Sequence, residues 1–328
     1  MNLSVHIVSC GRLVYLEACC KSVITALPKS AEALIVVNGD YPEVIQFLKK
    51  FNHPQFRWIQ TPRESLSSAR NRAFELCLGK IVYFLDDDVI VPTHLFKSAI
   101  ELFEKDPDLI VAGGANLTPP ESPLIEKCFG AVMTSFFAAP MVRHRYYLPK
   151  KNFQLATQHN VIFCNLACRR DLIPKDLYFL DELSSNQENF FLYLIGQLKI
   201  KAVLSSDLYV FHYRRKNIFS FAKQVCSYGF GRFQQTWKCW QSCHPLYLVP
   251  PLALISFVAL IITGRYQIML VLLAIYGFLS LAAALCSDSI RDLGTWGIVS
   301  ALPLTAMVHL TYGLGWLNGL WSKFKASE

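Results

Sequence analysis

Residues 80–88 read KIVYFLDDD, an apolar run that ends directly in three aspartates. A short run of β-branched and aromatic residues, bounded by a glycine and by acids, is typical of a buried strand. The preceding stretch, SLSSARNRAFELCLG at residues 65–79, has helical spacing and predicts a helix over Ser67–Leu78. These residues therefore predict a helix, a buried strand over Lys80–Leu85 and a strand end that carries carboxylates.

The same alternation extends over residues 1 to about 115. The other predicted strands and helices follow the order Leu3–Val8, Leu16–Leu27, Ala33–Val37, Val44–Phe51, Phe56–Ile59, Pro92–Lys105 and Leu109–Ala112. Such alternation predicts an α/β fold with a parallel sheet covered by helices. Ligands bind such sheets at the carboxyl ends of the strands, where the aspartates lie. Residues 116–213 are less regular and are expected to form a second half, with a helix at Asn189–Gln197.

Composition excludes a wholly soluble or a disordered protein. The chain has 328 residues and a net charge of +8, with 53% apolar and 17% charged residues. Residues 245–263 and 266–286 carry no charge over membrane-spanning lengths, with Arg265 between them, and predict two transmembrane helices. A third apolar stretch, residues 296–321, is compatible with a full span, a kinked span or a re-entrant pair. The sequence thus predicts a transmembrane region over 245–322 with two to four helices, three being favoured.

Residues 214–244 form a basic segment ahead of these spans. Between Asp207 and Asp288 there is no acidic residue, and the segment carries Trp237 and Trp240. A basic helix with an apolar face and tryptophans is typical of an interfacial helix on an anionic leaflet. A helix that packs within the protein, or a nucleic-acid patch, is the alternative.

The cysteines and the N-terminus indicate the compartment. The eleven cysteines include no Cys-x-x-Cys pair, which favours buried thiols in a reducing compartment over a zinc site. The first residues, MNLSVHIVSCGRL, have neither the charged region nor the apolar run of a signal peptide. We therefore expect the N-terminal part to lie in the cytosol.

The three aspartates are the sharpest chemical signal. No lysine or arginine lies within five residues on either side of them, so we expect a hard divalent cation to neutralise them through oxygen ligands. Alternate residues of an extended segment face the same side, which directs Asp86 and Asp88 together. A solvated acidic loop is the alternative.

The order of these motifs resembles the family 2 glycosyltransferases of the GT-A fold. The resemblance is carried by Ser65–Asp88, by Leu3–Ser22, by IVVNGD, by FCNLACRR at Phe163–Arg170, by Leu180-Asp181-Glu182 and by NQENFFLYLI at Asn186–Ile195. The C-terminal part, from FHYRRKNIFSFAKQVCSYGFGR onward, resembles the membrane-bound branch that builds bacterial exopolysaccharides, the succinoglycan-type transferases.

The resemblance implies a set of site residues. Mg²⁺ or Mn²⁺ would be held by Asp88, Asp86 and His212. A nucleotide-diphosphate sugar would contact Ser9, Asn38, Asp40, Arg70, Asp86 and Asp87. The catalytic base would be Glu188, with Asp181 and Glu182 as reserves. Residues facing the acceptor or lipid would be Arg143, Arg145, Arg169, Arg214, Arg215, Gln224 and Arg232. For the basic loop that contains Arg143 and Arg145, a solvated surface is the alternative, and it is favoured.

Two departures from the family pattern matter. An aspartate that usually contacts the nucleotide base is replaced by Val37, and the usual Glu-Asp pair reads Glu188-Asn189. The processive motif Gln-x-x-Arg-Trp is absent after Gln224, which favours transfer of a single sugar.

The resemblance implies an inverting enzyme of the inner cell membrane, multi-pass, with its catalytic part in the cytoplasm. Its partners would be a nucleotide-diphosphate sugar, a polyprenyl-diphosphate-linked saccharide acceptor and the membrane, and not a nucleic acid. A transferase that uses polyprenyl phosphate itself, and an inactive membrane scaffold, are the alternatives.

Overall fold

The computed structural model describes residues 1–148, 154–174, 183 and 185–325. The chain divides into two compact units. The first comprises Met1–Pro119, Tyr147–Glu182 and Gln187–Tyr213, and the second comprises Pro120–Tyr146, Leu183–Asn186 and Arg214–Glu328.

The first unit contains the strands and most of the short helices. Its strands are β1 (Leu3–Ser9), β2 (Ala31–Asn38), β3 (Phe56–Thr61), β4 (Ile81–Asp86), β5 (Val89–Ile90), β6 (Val111–Gly113), β7 (Asn116–Leu117), β8 (Gln154–Leu155), β9 (Leu166–Arg169), β10 (Ala202–Leu204) and β11 (Val210–His212). The helices, numbered along the whole chain, begin with α1 (Leu13–Ala26), α2 (Pro42–Phe51), α3 (Leu66–Leu76) and α4 (Leu95–Lys105) in the first unit. They continue with α5 (Leu124–Val132) in the second unit and α6 (Gln187–Gln197) in the first.

The main sheet has the strand order β3-β2-β1-β4-β9-β6-β10-β8. Strands β3, β2, β1 and β4 are parallel, whereas β9 runs antiparallel between β4 and β6. A smaller sheet has the order β5-β11-β7. The predicted helix-covered α/β sheet is therefore present, and the carboxyl ends of β1, β2 and β4 share one edge.

Both faces of β1, β2 and β4 are buried, which explains why the sequences of these strands are largely apolar rather than alternating. On one face, Val5 and Ile7 pack with Leu16 and Phe96. On the other face, alternate positions of the same strands pack in a separate cluster around Phe84. The apolar strands are thus a consequence of helices on both sides.

The second unit is helical. Its remaining helices are α7 (Ile218–Lys238), α8 (Val249–Ile262), α9 (Tyr266–Leu285), α10 (Asp288–Arg291) and α11 (Gly294–Lys325). Glycines let α7 and α11 approach closely, since a Cβ on Gly315 would lie 1.9 Å from the carbonyl oxygen of Cys226. His309 on α11 contacts the Tyr276 hydroxyl of α9 at 2.9 Å and the Phe137 carbonyl oxygen at 3.0 Å. The unit is therefore held by close backbone packing and by polar contacts among its helices.

The apolar helices differ from the predicted spans in one respect. Among the described residues, α9 and α11 are long and apolar enough to cross a membrane. The span expected over 245–263 is instead α8, a helix of 14 residues, which extends only about 21 Å against a hydrocarbon core of about 30 Å. The apolar run begins before the helix does, and the helix ends near Gly264, whose φ is +66°.

The third stretch forms one continuous helix, α11, with Pro303 inside it, so it is not a re-entrant pair.

Candidate active site

The pairing of β1 with β4 assembles the centre of the site. Val8 lies opposite Asp86 in the parallel register, so both strands end at the same edge of the sheet. The residues that follow β1 therefore reach the aspartates that follow β4. Ser9 illustrates this, because its hydroxyl donates to Asp87 Oδ2 at 2.7 Å.

Asp87 is the structural member of the three aspartates. It is fully buried, and its second oxygen accepts from Arg12. Burial raises the pKa of Asp87 to about 6 against the opposing charge of Arg12. The sequence predicts that Asp87 contacts a nucleotide. In the structure its side chain is 0% exposed and hydrogen-bonded to Ser9 and Arg12.

Arg12 is the residue that sequence reasoning missed. Its guanidinium forms ion pairs with both Asp87 and Asp88. Burial opposes its charged form, but Asp88, Asp87 and Asp86 outweigh that effect and raise the pKa of Arg12. A cation of the protein therefore lies beside these aspartates, although no lysine or arginine is within five residues of them in sequence. The cation comes from a position that is distant in sequence and adjacent through the β1–β4 pairing.

The structure brings Asp86, Asp88 and His212 together. One ligand atom from each can be chosen so that all lie within 4.8 Å of one another. His212 ends β11, which pairs with β5 just after the aspartates, and its Nε2 lies 3.1 Å from Asp88 Oδ1. Two carboxylates and an imidazole are ligands suited to Mn²⁺, and the carboxylates suit Mg²⁺. This donor set fits a divalent cation.

Arg70 connects the aspartates to the first turn of α6. From α3, its Nη2 lies 3.4 Å from Asp86 Oδ1 and its Nη1 donates to Gln187 Oε1 at 2.7 Å. The guanidinium also lies 4.8 Å from the ring centroid of Phe163. Glu188, the expected base, is the next residue after Gln187 and is half-buried.

Asp181 and Glu182, the reserves for the base, lie outside the described residues. Asn189, at the position where an aspartate is usual, is fully buried. Within the described part of the chain, Glu188 is thus the remaining candidate base, one residue after the Gln187 that Arg70 contacts.

The end of β2 forms the neighbouring part of the edge. The Asn38 amide donates to the carbonyl oxygen of Glu64 at 3.0 Å, and its side-chain oxygen accepts from the Glu64 backbone at 2.9 Å. Asp40 is exposed. Tyr41 fills the space beside Gly11, whose φ is +91° and where a Cβ would lie 2.4 Å from the Tyr41 ring. Asn38 thus orders the following loop, while Asp40 and Tyr41 lie at the open edge.

Arg169 lies away from these residues. It is paired with Ile81 at the opposite end of β4 from Asp86. Its Nε donates to the carbonyl oxygen of Leu109 at 2.8 Å, and its guanidinium stacks on Phe103. These contacts fasten the end of α4 and give Arg169 a structural position away from the aspartates.

The other residues expected to face an acceptor or lipid belong to the second unit. Arg215 is exposed, and Gln224 and Arg143 are half-buried. The Arg214 guanidinium lies 5.0 Å from the ring centroid of Tyr146.

Two arginines of this set are buried instead of exposed. Arg145 is 5% exposed and Arg232 is 3% exposed. The Arg232 guanidinium lies 4.1 Å from the centroid of Tyr247 and donates to Gln235 at 2.8 Å. Arg232 is buried because it lies on the face of α7 that also carries Gly229 and Phe233, both in contact with α11.

This edge of an α/β sheet combines an Asp-Asp-His group with an arginine that also contacts the first turn of α6. The family profile described as "Glycosyl transferase family 2" matches residues 4–175, more than half of the chain. The chain therefore belongs to glycosyl transferase family 2.

Two Escherichia coli relatives show local sequence similarity. The "Uncharacterized glycosyltransferase YibD" of strain K12 is 32% identical over 99 residues, which cover 29% of this chain and 28% of YibD. Chondroitin synthase is 26% identical over 106 residues, which cover 32% of this chain and 16% of that protein. The similarity thus covers less than a third of either relative.

Solved structures show the same fold. A mannosyltransferase from Pyrobaculum calidifontis, solved with GDP-Man and Mn²⁺, aligns with a TM-score of 0.63 at 15% identity, covering 98% of this chain and 88% of that one. S. aureus TarS, solved with UDP, aligns with a TM-score of 0.50 at 17% identity, covering 71% of this chain and 66% of that one. The α/β GT-A fold predicted from the sequence is thereby confirmed, with C-terminal helices of which two are apolar enough to span a membrane.

Proposed function

We propose that the chain is a membrane-attached inverting glycosyltransferase of the succinoglycan-type branch. It moves one sugar from a nucleotide-diphosphate sugar to a lipid-linked saccharide at the cytosolic face of the inner membrane, in surface polysaccharide biosynthesis. The observation that supports this best is the set of Arg70 contacts. They join Asp86 of the carboxylate edge to Gln187, the residue before the candidate base Glu188.

A divalent cation, Mg²⁺ or Mn²⁺, would be held by Asp86, Asp88 and His212. The fit is supported by their ligand atoms, which lie within 4.8 Å of one another. When bound, such a cation stabilises the negative charge that grows on a diphosphate leaving group. The pyrophosphate-binding protein groups beside it would be the backbone after β1 and the guanidinium of Arg70.

Arg70 has the chemistry to orient the donor. A guanidinium presents a planar set of donors that matches phosphate oxygens. Its side chain is only 11% exposed and is fixed by Gln187 and Phe163, so little conformational entropy is lost when it binds an anion. Asp40 and Tyr41, at the open end of β2, would contact the nucleoside.

Glu188 is the proposed base. Inversion by a single displacement requires a carboxylate that takes the proton from the acceptor hydroxyl. Glu188 lies in the first turn of α6, one residue after the Gln187 that Arg70 contacts. Its half-buried side chain remains accessible to a substrate.

The lipid-linked acceptor and the membrane location are supported by the second unit. Only 17% of the most apolar stretch of α9 is buried. A core helix of a soluble protein differs, because its apolar side chains are covered. Trp237 and Trp240 are 60% and 64% exposed, as expected of residues at a membrane interface. Exposed Arg215 and Lys223 would attract anionic headgroups or an acceptor phosphate.

The test is a transfer assay with purified full-length protein. UDP-, GDP- and dTDP-sugars are first screened by thermal shift with and without Mn²⁺, because a ligand of the folded state raises its melting temperature. The stabilising donor is then supplied in labelled form with polyprenyl-diphosphate-linked saccharides from membranes, and label in the lipid fraction is counted. Polyprenyl phosphate alone is a separate arm that identifies the simpler acceptor.

The control for this assay is a pair of identical substitutions. Asp88→Asn is expected to abolish transfer and metal-dependent donor binding, because it removes a carboxylate of the metal set. Asp171→Asn is expected to leave both unchanged, since Asp171 is exposed and pairs only loosely with Arg170 at 3.7 Å. The proposal fails if no donor stabilises the protein, or if Asp88→Asn transfers sugar as fast as the wild type.

A further inference from the structure

The guanidinium of Arg12 is a positive charge that lies directly beside Asp87 and Asp88. Arg12 follows Gly11, whose φ of +91° turns the chain from the end of β1 into α1. Its two terminal nitrogens are divided between two carboxylates, with Nη2 on Asp87 Oδ1 and Nη1 on Asp88 Oδ2. A guanidinium fork that spans two carboxylates is a strong and directional contact.

Asp88 is shared between Arg12 and the candidate metal group. Its Oδ2 accepts from Arg12, while its Oδ1 lies 3.1 Å from His212 Nε2. A divalent ion held by Asp88 and His212 would therefore lie within a few ångströms of the guanidinium. Asp88 is only 5% exposed, so water screens the repulsion between the two cations poorly.

The charges of the site are nearly balanced without any ion. Three carboxylates face Arg12 and Arg70, which leaves about one negative charge. A divalent ion alone would make the site positive, whereas an ion that arrives with a diphosphate would not. The protein's own arginines thus oppose the ion and favour the ion–diphosphate pair.

We propose that Arg12 is an internal counter-ion that makes divalent-metal binding depend on the donor diphosphate. This inference rests on the metal-dependent function proposed above and adds its order of binding. Without nucleotide the carboxylates are satisfied by Arg12 and the ion binds weakly. With nucleotide, the diphosphate charge offsets both cations. Because binding free energies are reciprocal, the ion and the diphosphate strengthen each other by the same factor, and Arg12 sets the size of that factor.

The test measures Mn²⁺ binding and not turnover. Free Mn²⁺ is counted by electron paramagnetic resonance during titration of the purified full chain, first with Mn²⁺ alone and then with UDP or GDP present. Arg12→Gln is expected to bind Mn²⁺ alone at least about tenfold more tightly than the wild type, because a unit cation beside the ion is removed. Its gain in Mn²⁺ affinity on adding the nucleotide is expected to be correspondingly smaller.

Arg72→Gln is the matched control. It removes the same charge from the same unit, but Arg72 is half exposed and pairs with Glu64 at 3.2 Å. Its Mn²⁺ affinity is expected to equal that of the wild type. A tighter affinity in Arg12→Gln that Arg72→Gln shares equally would overturn the proposal, since net charge alone would then explain it.

Stability provides a second readout that does not depend on counting free ions. Metal-free Arg12→Gln leaves Asp87 and Asp88 without this cation, so its melting temperature is expected to drop and to rise more on adding Mn²⁺ than that of the wild type. If Arg12→Gln does not fold, Arg12→Lys replaces it, because a lysine keeps the charge but lacks the fork that spans two carboxylates. Arg12→Lys is expected to bind Mn²⁺ alone with intermediate affinity.

The outcomes separate this proposal from the proposed function. Unchanged or weaker binding of Mn²⁺ alone by the Arg12 variants would overturn the counter-ion role while leaving metal-dependent transfer intact. Equal Mn²⁺ binding by wild type and Asp88→Asn, with and without nucleotide, would remove the metal site itself, and both proposals would then fall.

Discussion

Replacing Arg70 with methionine tests whether its contacts with Asp86 and Gln187 stabilise the first unit and orient the donor. Arg70 is 11% exposed, donates to Gln187 at 2.7 Å and lies 3.4 Å from Asp86. Methionine keeps the length and apolar packing of the side chain and removes its charge and donors. Arg72, two residues further along α3, is half exposed and pairs with Glu64, so Arg72→Met is a control with the same chemical change.

The magnitude follows from the contacts that are lost. A buried charged hydrogen bond contributes about 1.5–3 kcal/mol, and the position of the guanidinium 4.8 Å from the Phe163 centroid adds about 0.5–1 kcal/mol. We therefore expect Arg70→Met to lower the free energy of unfolding of the first unit by roughly 2–4 kcal/mol. For a unit of this size that corresponds to a melting temperature lower by roughly 5–10 °C. Arg72→Met is expected to melt at the wild-type temperature, because exposed ion pairs contribute little.

The assay is thermal unfolding of the purified full chain, followed by intrinsic fluorescence, together with donor affinity by calorimetry. Arg70→Met is expected to weaken donor binding as well, since the guanidinium is proposed to contact phosphate oxygens. Equal melting temperatures and equal donor affinities for the two variants would refute the reasoning. They would mean that the Arg70 contacts neither stabilise the first unit nor orient the donor.

Three other perturbations separate catalysis, buried charge and helix packing. Glu188→Gln is expected to bind donor normally and to transfer sugar more slowly by roughly two to four orders of magnitude, the usual contribution of a general base; near-normal turnover would reassign the base. Burial lowers the pKa of His6 to about 3, whereas a histidine in the unfolded chain titrates near 6.5. The unfolded chain therefore takes up the proton first, and the stability of the fold decreases as the pH falls from 6.5 towards 3. In unfolding measured as a function of pH, His6→Leu should make this decrease in stability smaller. An unchanged decrease would contradict the assignment to His6. A Cβ on Gly315 would lie 1.9 Å from a backbone oxygen of α7, whereas a Cβ on Gly277 would have no neighbour within 4 Å. Gly315→Leu should lower the free energy of unfolding by about 1–3 kcal/mol, and Gly277→Leu should leave it unchanged. Equal melting temperatures of the two variants in thermal unfolding would argue against close packing of α7 and α11.

The fold was predictable because its signals are local. The strands β1, β2 and β4 are short and largely apolar, and both of their faces are covered, so their apolar runs are nearly uninterrupted. The prediction of β4 over Lys80–Leu85 differs by one residue at each end from the observed Ile81–Asp86. Predicted and observed ends differ by this amount because hydrogen bonding to neighbouring strands, rather than residue type, decides where a strand ends.

The spans and the basic helix were less predictable, because apolarity does not mark where a helix begins. The apolar run at 245–263 includes Pro245, which starts a short 3₁₀ turn, and the helix proper begins only at Val249. In α7, the basic residues do not share one environment: Lys223 is exposed while Arg232 is buried. Periodicity identified an apolar face on this helix but did not reveal that glycines of α11 approach it closely.

The site could be predicted where its residues follow a strand or match the motifs of the family that the sequence resembles. Asp86 and Asp88 were predicted because β4 ends at Asp86 and Asp88 lies two residues later. Arg70, Glu188 and His212 were predicted from the family resemblance. Arg12 was missed because its neighbourhood was judged along the chain, and it lies more than seventy residues from the aspartates. The available signal was the prediction that β1 opens a parallel sheet, which places the end of β1 beside the end of β4.

The three aspartates differ in exposure, and this difference assigns them different work. Asp87 is 0% exposed and Asp88 5%, whereas the side chain of Asp86 is 34% exposed. Asp87, bound by Ser9 and Arg12, holds the loop after β1 against the end of β4. Asp86 is the carboxylate most open to an arriving ligand, and Arg70 approaches it at a longer distance than Arg12 approaches the other two. Asp88 lies between these roles, with one oxygen toward the protein cation and one toward His212. Substitution of each aspartate should therefore have a different dominant effect, on folding for Asp87, on metal affinity for Asp88 and on donor binding for Asp86, although the three are adjacent in sequence and identical in chemistry.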